Sequence, residues 1–270
     1  MAFRFSPALQ NYIAEGGSWK SFFDNGSIEV FTGSQPATPD LATTGTQLLI
    51  ITSSGGTKTN EVPATGNFTL AVGAVGTDTL ATVTLAGVNI LGGAVAFATS
   101  LNATATAAAL AINRCTSNKF VVATTTGSSA VVTLTAKPGF GTTLNAVTLA
   151  TTVGGNMTAA VNNATFGTLQ AGVAAVNGLL IDYNAAAGVI TKNTTQTWSG
   201  TVIGAGTQTA GWFRYKGSVV DANAQDSSAV FLRMDGAVAT SGSDMNMTST
   251  SMANGAVQTV GTFQWTIPAA

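Results

Sequence analysis

The 270-residue chain carries ten Lys and Arg against eleven Asp and Glu, no His and one Cys, for a formal net charge of −1. So neutral a chain offers no basic field to nucleic acid or to an anionic membrane, and without His it has no Ser-His-Asp or Cys-His catalysis, no imidazole metal site and no imidazole general base. Charged residues make up 8% of the chain against the usual ~25%, so Thr, Ser, Asn, Gly and Ala stand where Lys and Glu ordinarily do.

The first predicted element is a short helix. Ser6 caps it, Pro7 takes its first position, Leu9, Tyr12 and Ile13 share a face, and Gly16-Gly17 stop it. The start of the chain lacks the apolar run of a signal peptide, so no targeting segment is expected. Ser18 to Phe23 predicts a second helical turn with Trp19, Phe22 and Phe23 as a packing patch and Asn25-Gly26 as its way out. These three aromatics exceed what one short helix must bury, so they are the candidate assembly contact. Strands follow at Ile28–Phe31 and Gln47–Thr52, joined by a loop through Pro36 and Pro39.

From Val62 to Thr165 the texture changes. Asp78, Arg114, Lys119 and Lys137 are the only charges, and every Trp and Tyr lies outside the stretch. The uncharged run Thr79–Leu101 is long enough to span a bilayer, but its Thr, Asn89 and repeated Gly, with alternation around Val83 and Leu85, predict a pair of strands and no membrane span. Strands are expected at Phe68–Val72 and Thr79–Leu85, then a helix capped by Thr104 or Thr106 and running to Cys115. A hairpin of Phe120–Thr124 with Val131–Ala136 and a strand Val147–Val153 complete the block. Beyond it, strands are expected at Leu179–Tyr183, Trp198–Ile203, Trp212–Lys216, Val230–Met234 and Val260–Ile267. In the last, Phe263, Trp265 and Ile267 alternate with Thr262, Gln264 and Thr266. Short strands with Gly-rich turns predict a mainly β chain: a split β-sandwich or open barrel (1–61 and 166–270) with a short N-terminal helix and an inserted smaller α+β module (62–165). Such an insertion is cheap in loop-closure entropy.

Chemistry is sparse. Cys115 has no base or second thiol near it in sequence and reads as a small buried core residue. Two acids could flank a glycosidic bond, but the acids are spread singly among turns such as Asp182, Asp235-Gly236 and Asp244, where turn formation explains them. Asp221-Ala-Asn223-Ala-Gln225-Asp226 matches the beginning of a calcium loop. It lacks the glycine at the sixth position and the bidentate glutamate at the twelfth, so it reads as a polar surface loop. Gly204-Ala-Gly206 has no third glycine in register and implies no nucleotide. The expected set of catalytic residues, metal ligands and cofactors is therefore empty. Trp212 and Tyr215 are the candidate ligand surface of a carbohydrate-binding alternative, with Trp212 and Arg214 on one strand face and Phe213 and Tyr215 on the other.

Three stretches, IEVFTGSQPATPDLATTGTQLLIIT (Ile28–Thr52), TWSGTVIGAGTQTAGWFRYKG (Thr197–Gly217) and RMDGAVATSGSDMNMTSTSMANGAVQTVGTFQWTIP (Arg233–Pro268), resemble small β-rich virion proteins of tailed bacteriophages. The inner block, with TATAAALAINRC, FVVATTTGSSAVVTLTAK and PGFGTTLNAVTL, is similar to modules embedded in tail-sheath and other virion proteins. The resemblance implies a non-enzymatic particle component of the decoration, collar or tail-associated type, located in the virion, with copies of itself and other virion proteins as partners. It carries no catalytic residue over. Composition points the same way, because a surface of Thr, Ser and Asn can be buried against a neighbour without desolvating charge. The alternative is a receptor- or carbohydrate-binding module at a fibre or neck.

Overall fold

A computed structural model describes residues 3–74, 76–182 and 188–266. The expected strand ends at Tyr183 and Ile267 lie outside the described residues. The chain is mainly β and sandwich-like, and it divides into two compact units: Met1–Glu61 with Ala175–Ala270, and Val62–Ala174. The inner unit runs past the expected 165 because Phe166 fills its core and Gln170 and Val173 bridge back to Thr65 and Val62.

In the outer unit, β1 (Arg4–Phe5) leads into α1 (Pro7–Ala14). Ser6 is extended and its hydroxyl accepts from the Leu9 N–H at 3.2 Å, satisfying one of the helix's free donors. Gly16, at φ 85°, turns the chain away. α2 (Trp19–Phe23) is one closed capping box, Ser18 and Ser21 each accepting from the other's N–H, and Asn25 at φ 62° ends it. β2 (Ser27–Thr32) and β3 (Gln47–Ser53) then pair antiparallel.

The inner unit contains β4 (Thr65–Ala71), β5 (Thr79–Leu85), β6 (Val88–Asn89), β7 (Val95–Ala96), α3 (Leu101–Arg114), β8 (Val121–Thr124), β9 (Val131–Ala136), β10 (Leu149–Gly154) and β11 (Thr158–Val161). One sheet runs β10-β5-β6 with β7 beside β5, the other β11-β4-β9-β8. Phe68, Leu70, Val132 and Leu134 of the second sheet share a core with Leu80, Val83 and Leu149 of the first and with Ala105, Ala108 and Ile112 of α3. β4 stops at Ala71 because Val72 adopts φ 50°, which a strand cannot continue. The helix begins earlier than expected. Ser100, not Thr104 or Thr106, caps it, accepting from Ala103 N–H at 3.1 Å, and the two Thr hydroxyls instead donate to the Ser100 and Asn102 carbonyls. Cys115 is half-buried at the helix C-cap, so the expectation of a buried core thiol is corrected. Ile112, one turn back, takes the core position.

The chain returns to the outer unit with β12 (Ile181–Asp182), β13 (Val189–Lys192), β14 (Trp198–Thr201), β15 (Thr207–Lys216), β16 (Arg233–Ala239), β17 (Met245–Asn246), β18 (Ser251–Ala253), β19 (Val257–Val260) and β20 (Gln264–Thr266). The main sheet runs β1-β16-β15-β2-β3-β14-β19, with β17 on β16 and β18 on β15, and β12-β13-β20 form a second sheet. The strand expected over Val260–Ile267 is two. β19 pairs with β14, while Trp265 pairs with Ile190 of β13. Within this unit the segment before residue 61 lies beside the segment after residue 175, Thr59 and Val176 exchanging both backbone hydrogen bonds.

Candidate functional site

The two faces of the main sheet differ because antiparallel register puts opposed residues on one side. Phe5 faces Met234, Met234 faces Tyr215, Tyr215 faces Ile28 and Ile28 faces Ile51, an apolar row that lies in the core. One residue along, Arg4 faces Asp235, Asp235 faces Arg214, Arg214 faces Glu29 and Glu29 faces Ile50. An alternation of this kind normally sends the charged row to water. Here most of it is buried: Arg214, Asp235 and Arg233 have no exposed surface and Glu29 is 4% exposed.

Two loops cover that row. Arg214 grips Asp235 with two parallel bonds of 2.7 and 2.8 Å, and its remaining donors reach the Leu41 carbonyl at 3.3 Å. Arg233 grips Asp221 at 2.7 and 2.6 Å and donates to the carbonyls of Pro39 at 3.0 Å and Ala224 at 2.9 Å. Arg4 donates to the Pro36 carbonyl. Lys216 pairs with Glu29 at 2.5 Å and donates to the Asp221 carbonyl at 2.9 Å, and Asn223 donates to the other Glu29 oxygen at 2.6 Å. Burial opposes ionisation of Asp221, but the Arg233 fork and the Asn223 N–H outweigh it and hold the carboxyl below its ordinary range. Planar guanidinium groups suit this task because one fork satisfies a carboxylate while the other donors fasten backbone carbonyls.

The stretch Asp221–Asp226 is a surface loop, with Ala222, Ala224 and Gln225 exposed, whose Asp221 and Asp226 side chains turn inward and anchor it as a cover. Asp226 is buried and accepts from the Val230 and Phe231 N–H groups at 2.8 and 2.7 Å. The acids were also expected to sit singly in turns, and Glu29, Asp221 and Asp235 instead each meet a cation on one sheet face. Sequence reasoning missed this cluster, although the signal was present in the alternation of Arg233 and Asp235 with Met234 and Gly236.

The candidate contact and ligand residues fall differently from expectation. Phe22 and Phe23 are fully buried in the outer unit's own core, stacked among Tyr215, Phe263 and Trp265, so they are corrected to core residues. Trp19 alone of the three reaches the surface, half-buried beside an apolar hollow it shares with Phe5, Leu9 and Ile13. Trp212 and Tyr215 do lie on opposite faces, but both faces are covered. Trp212 stacks on Phe31 at 4.5 Å beneath the charged row's cover, and Tyr215 donates its hydroxyl to the Phe23 carbonyl. With no exposed surface, neither offers a ring to a sugar.

The rest of this face is largely open, with Thr52 and Ser199 buried beneath the turn at Gly55-Gly56. Over β3, β14 and β19 the residues are uncharged, and Ile50, Ile203 and Val257 are 39, 60 and 64% exposed. A cleft of about 390 Å³ marks the boundary, lined by Glu29, Ile50, Lys58, Thr201, Ile203 and Lys216. Lys58 donates to the Gly217 carbonyl at 2.9 Å and to Asn60 at 3.0 Å. Burial, aided by the charge of Lys216 and opposed by that of Glu29, lowers its amine to about 8. Among the described residues no group of three or more Cys, Asp or Glu is placed to hold a metal, and no helix is long and apolar enough to cross a membrane. Comparison with models of known protein families and with curated proteins found no match.

Proposed function

We propose that the chain is a non-enzymatic structural subunit of a tailed-phage virion, one that assembles with copies of itself and with other virion proteins. The observation carrying this reading is where the charges lie. Of ten basic and eleven acidic side chains, nine are buried, so an exterior already poor in ions by composition is poorer still in the fold. A lone soluble domain keeps charge on its surface for solubility. A surface of Thr, Asn and aliphatic side chains can be covered by a neighbour without stripping water from ions. The phage assignment rests on the resemblance of the three quoted stretches and of the inner module. Of the two rings proposed for a carbohydrate-binding alternative, neither is available at the surface, so that reading is not carried forward.

The test is the mass of the purified chain across a range of concentrations, together with labelling of the chain in images of intact particles. A discrete multimer and a repeated position in the particle are expected. A monomer at all concentrations that is absent from particles would overturn the proposal.

A further inference from the structure

The two ends of the main sheet are built differently. At one end β1 is two residues long and carries Arg4, whose guanidinium fastens the loop at Pro36 over it. Short length, charge and a covering loop are the devices that keep a sheet edge from pairing with another chain. At the other end β19 is four residues long and carries no charge. No charged residue follows Asp244, β19 contains no proline, and its register with β14 shows no bulge. Among the described residues no strand pairs with its outer side.

The backbone groups on that outer side follow from the ladder. Antiparallel pairs alternate between residues that exchange hydrogen bonds and residues that do not. Val202 donates to the Ala256 carbonyl, and the pairing continues as Thr201 with Val257, Gly200 with Gln258 and Ser199 with Thr259. Gln258 and Val260 therefore turn their N–H and C=O groups to β14, and Val257 and Thr259 turn theirs away from it. Val257 and Thr259 are also the two exposed side chains of the strand, while Val260 packs against the core.

Resting on the assembly reading above, we infer that β19 pairs antiparallel with β19 of a second copy, about a two-fold axis through Gln258. In this register Val257 of one copy lies opposite Thr259 of the other. Each such pair exchanges both backbone hydrogen bonds, so every outward donor and acceptor of the strand is satisfied. The occupant is a second copy because the segment is self-complementary. An isologous contact brings identical patches together, and this one carries no charge to repel its twin. A partner selected by charge would find nothing to read here. The contact is short, so it is effective where copies are already held side by side at high local concentration.

The test uses the full chain with Cys115→Ser and Gln258→Cys. At the two-fold axis the two Gln258 positions form a non-hydrogen-bonded pair with Cα atoms ~4.5 Å apart, within disulfide reach. Mild oxidation should give a covalent dimer at least tenfold faster than Thr248→Cys in the same background. Adding Thr259→Pro, which deletes an outward donor and no bond to β14, should return the rate to that of the control with an unchanged unfolding midpoint. Should that proline disturb folding, Val257→Lys serves instead. Cross-linking no faster than the control, or unaffected by a folded edge variant, would overturn the inference. The light-scattering mass of the unmodified chain, with labelling of intact particles, separates the two failures: a multimer or a place in the particle leaves the assembly reading standing, while a monomer absent from particles removes both.

Discussion

The covered and open halves of one sheet face solve the same problem in opposite ways. Over β1, β16, β15 and β2 the outward residues include Arg4, Asp235, Arg214, Glu29, Arg233 and Lys216, and the chain brings its own loops across them, fastened by three ion pairs and by donors to the Leu41 and Pro39 carbonyls. Over β3, β14 and β19 the outward residues are neutral, and among the described residues only the turn at Gly55-Gly56 reaches over them, covering Thr52 and Ser199 while Ile50, Thr201, Val257 and Thr259 stay exposed. Where the fold itself provides the cover, charge serves to fasten it in one register. Where the face is left open, charge is absent, which on the assembly proposal lets a neighbour cover it without desolvating ions.

The largest effect should come from unpairing the covered half. Arg214→Ala leaves Asp235 buried without its cation, at an expected cost of about 3–5 kcal/mol, read as a fall in the denaturant midpoint. Replacing both partners, Arg214→Met with Asp235→Leu, should recover most or all of that loss, while protease cuts the loop at Leu41 faster because its carbonyl has lost two donors. A result in which the double variant is as unstable as the single one would remove the fastening argument.

Next in size is Gly211→Ala. β15 passes the Gly33 carbonyl so closely at its register shift that an added Cβ would lie 1.9 Å from that oxygen. The strand must shift, at about 1–3 kcal/mol, and the cover beyond Gly33 should loosen with it. In the open half, Ile50→Lys should change stability by no more than ~0.5 kcal/mol yet lower the mass measured in solution. A large stability loss there would mean that this half is not open.

A further effect, confined to alkaline pH, is a slope from Lys58. Its amine titrates at about 8 in the fold against 10.5 as a free side chain. Between those values the unfolded chain binds more protons, so stability should rise with pH across that window. Lys58→Met should flatten the slope in that window and leave the pH dependence below it unchanged.

The sequence makes some of this plain. The Ser6-Pro7 start of α1, the Ser18 turn, the antiparallel runs Ile28–Phe31 and Gln47–Thr52 and the inner hairpin are local patterns, and local hydrogen bonding settles them. What stays hidden is set by contacts distant in the chain. The anchoring of Asp221 by Arg233 stays hidden because nothing local to either indicates that residues 33–46 and 219–232 fold back over the sheet. The same distance effect turns Phe22, Phe23, Trp212 and Tyr215 from surface candidates into core: their partners, among them Phe31, Phe263 and Trp265, come from other strands. Ser100 was passed over as a helix cap because Thr104 and Thr106 looked equally able to serve, and only a hydroxyl with no preceding helical turn is free for the task.

The bonded pair Thr59 and Val176 has one more consequence. The points at which the chain leaves and rejoins the outer unit are within a strand spacing of each other, so the whole stretch Val62–Ala174 is a cassette inserted at one place in the outer unit. Cutting it out and joining the flanks with a tight turn would ask no strand of the host to move. Lineages could therefore lose, exchange or enlarge the cassette while the host scaffold kept its shape.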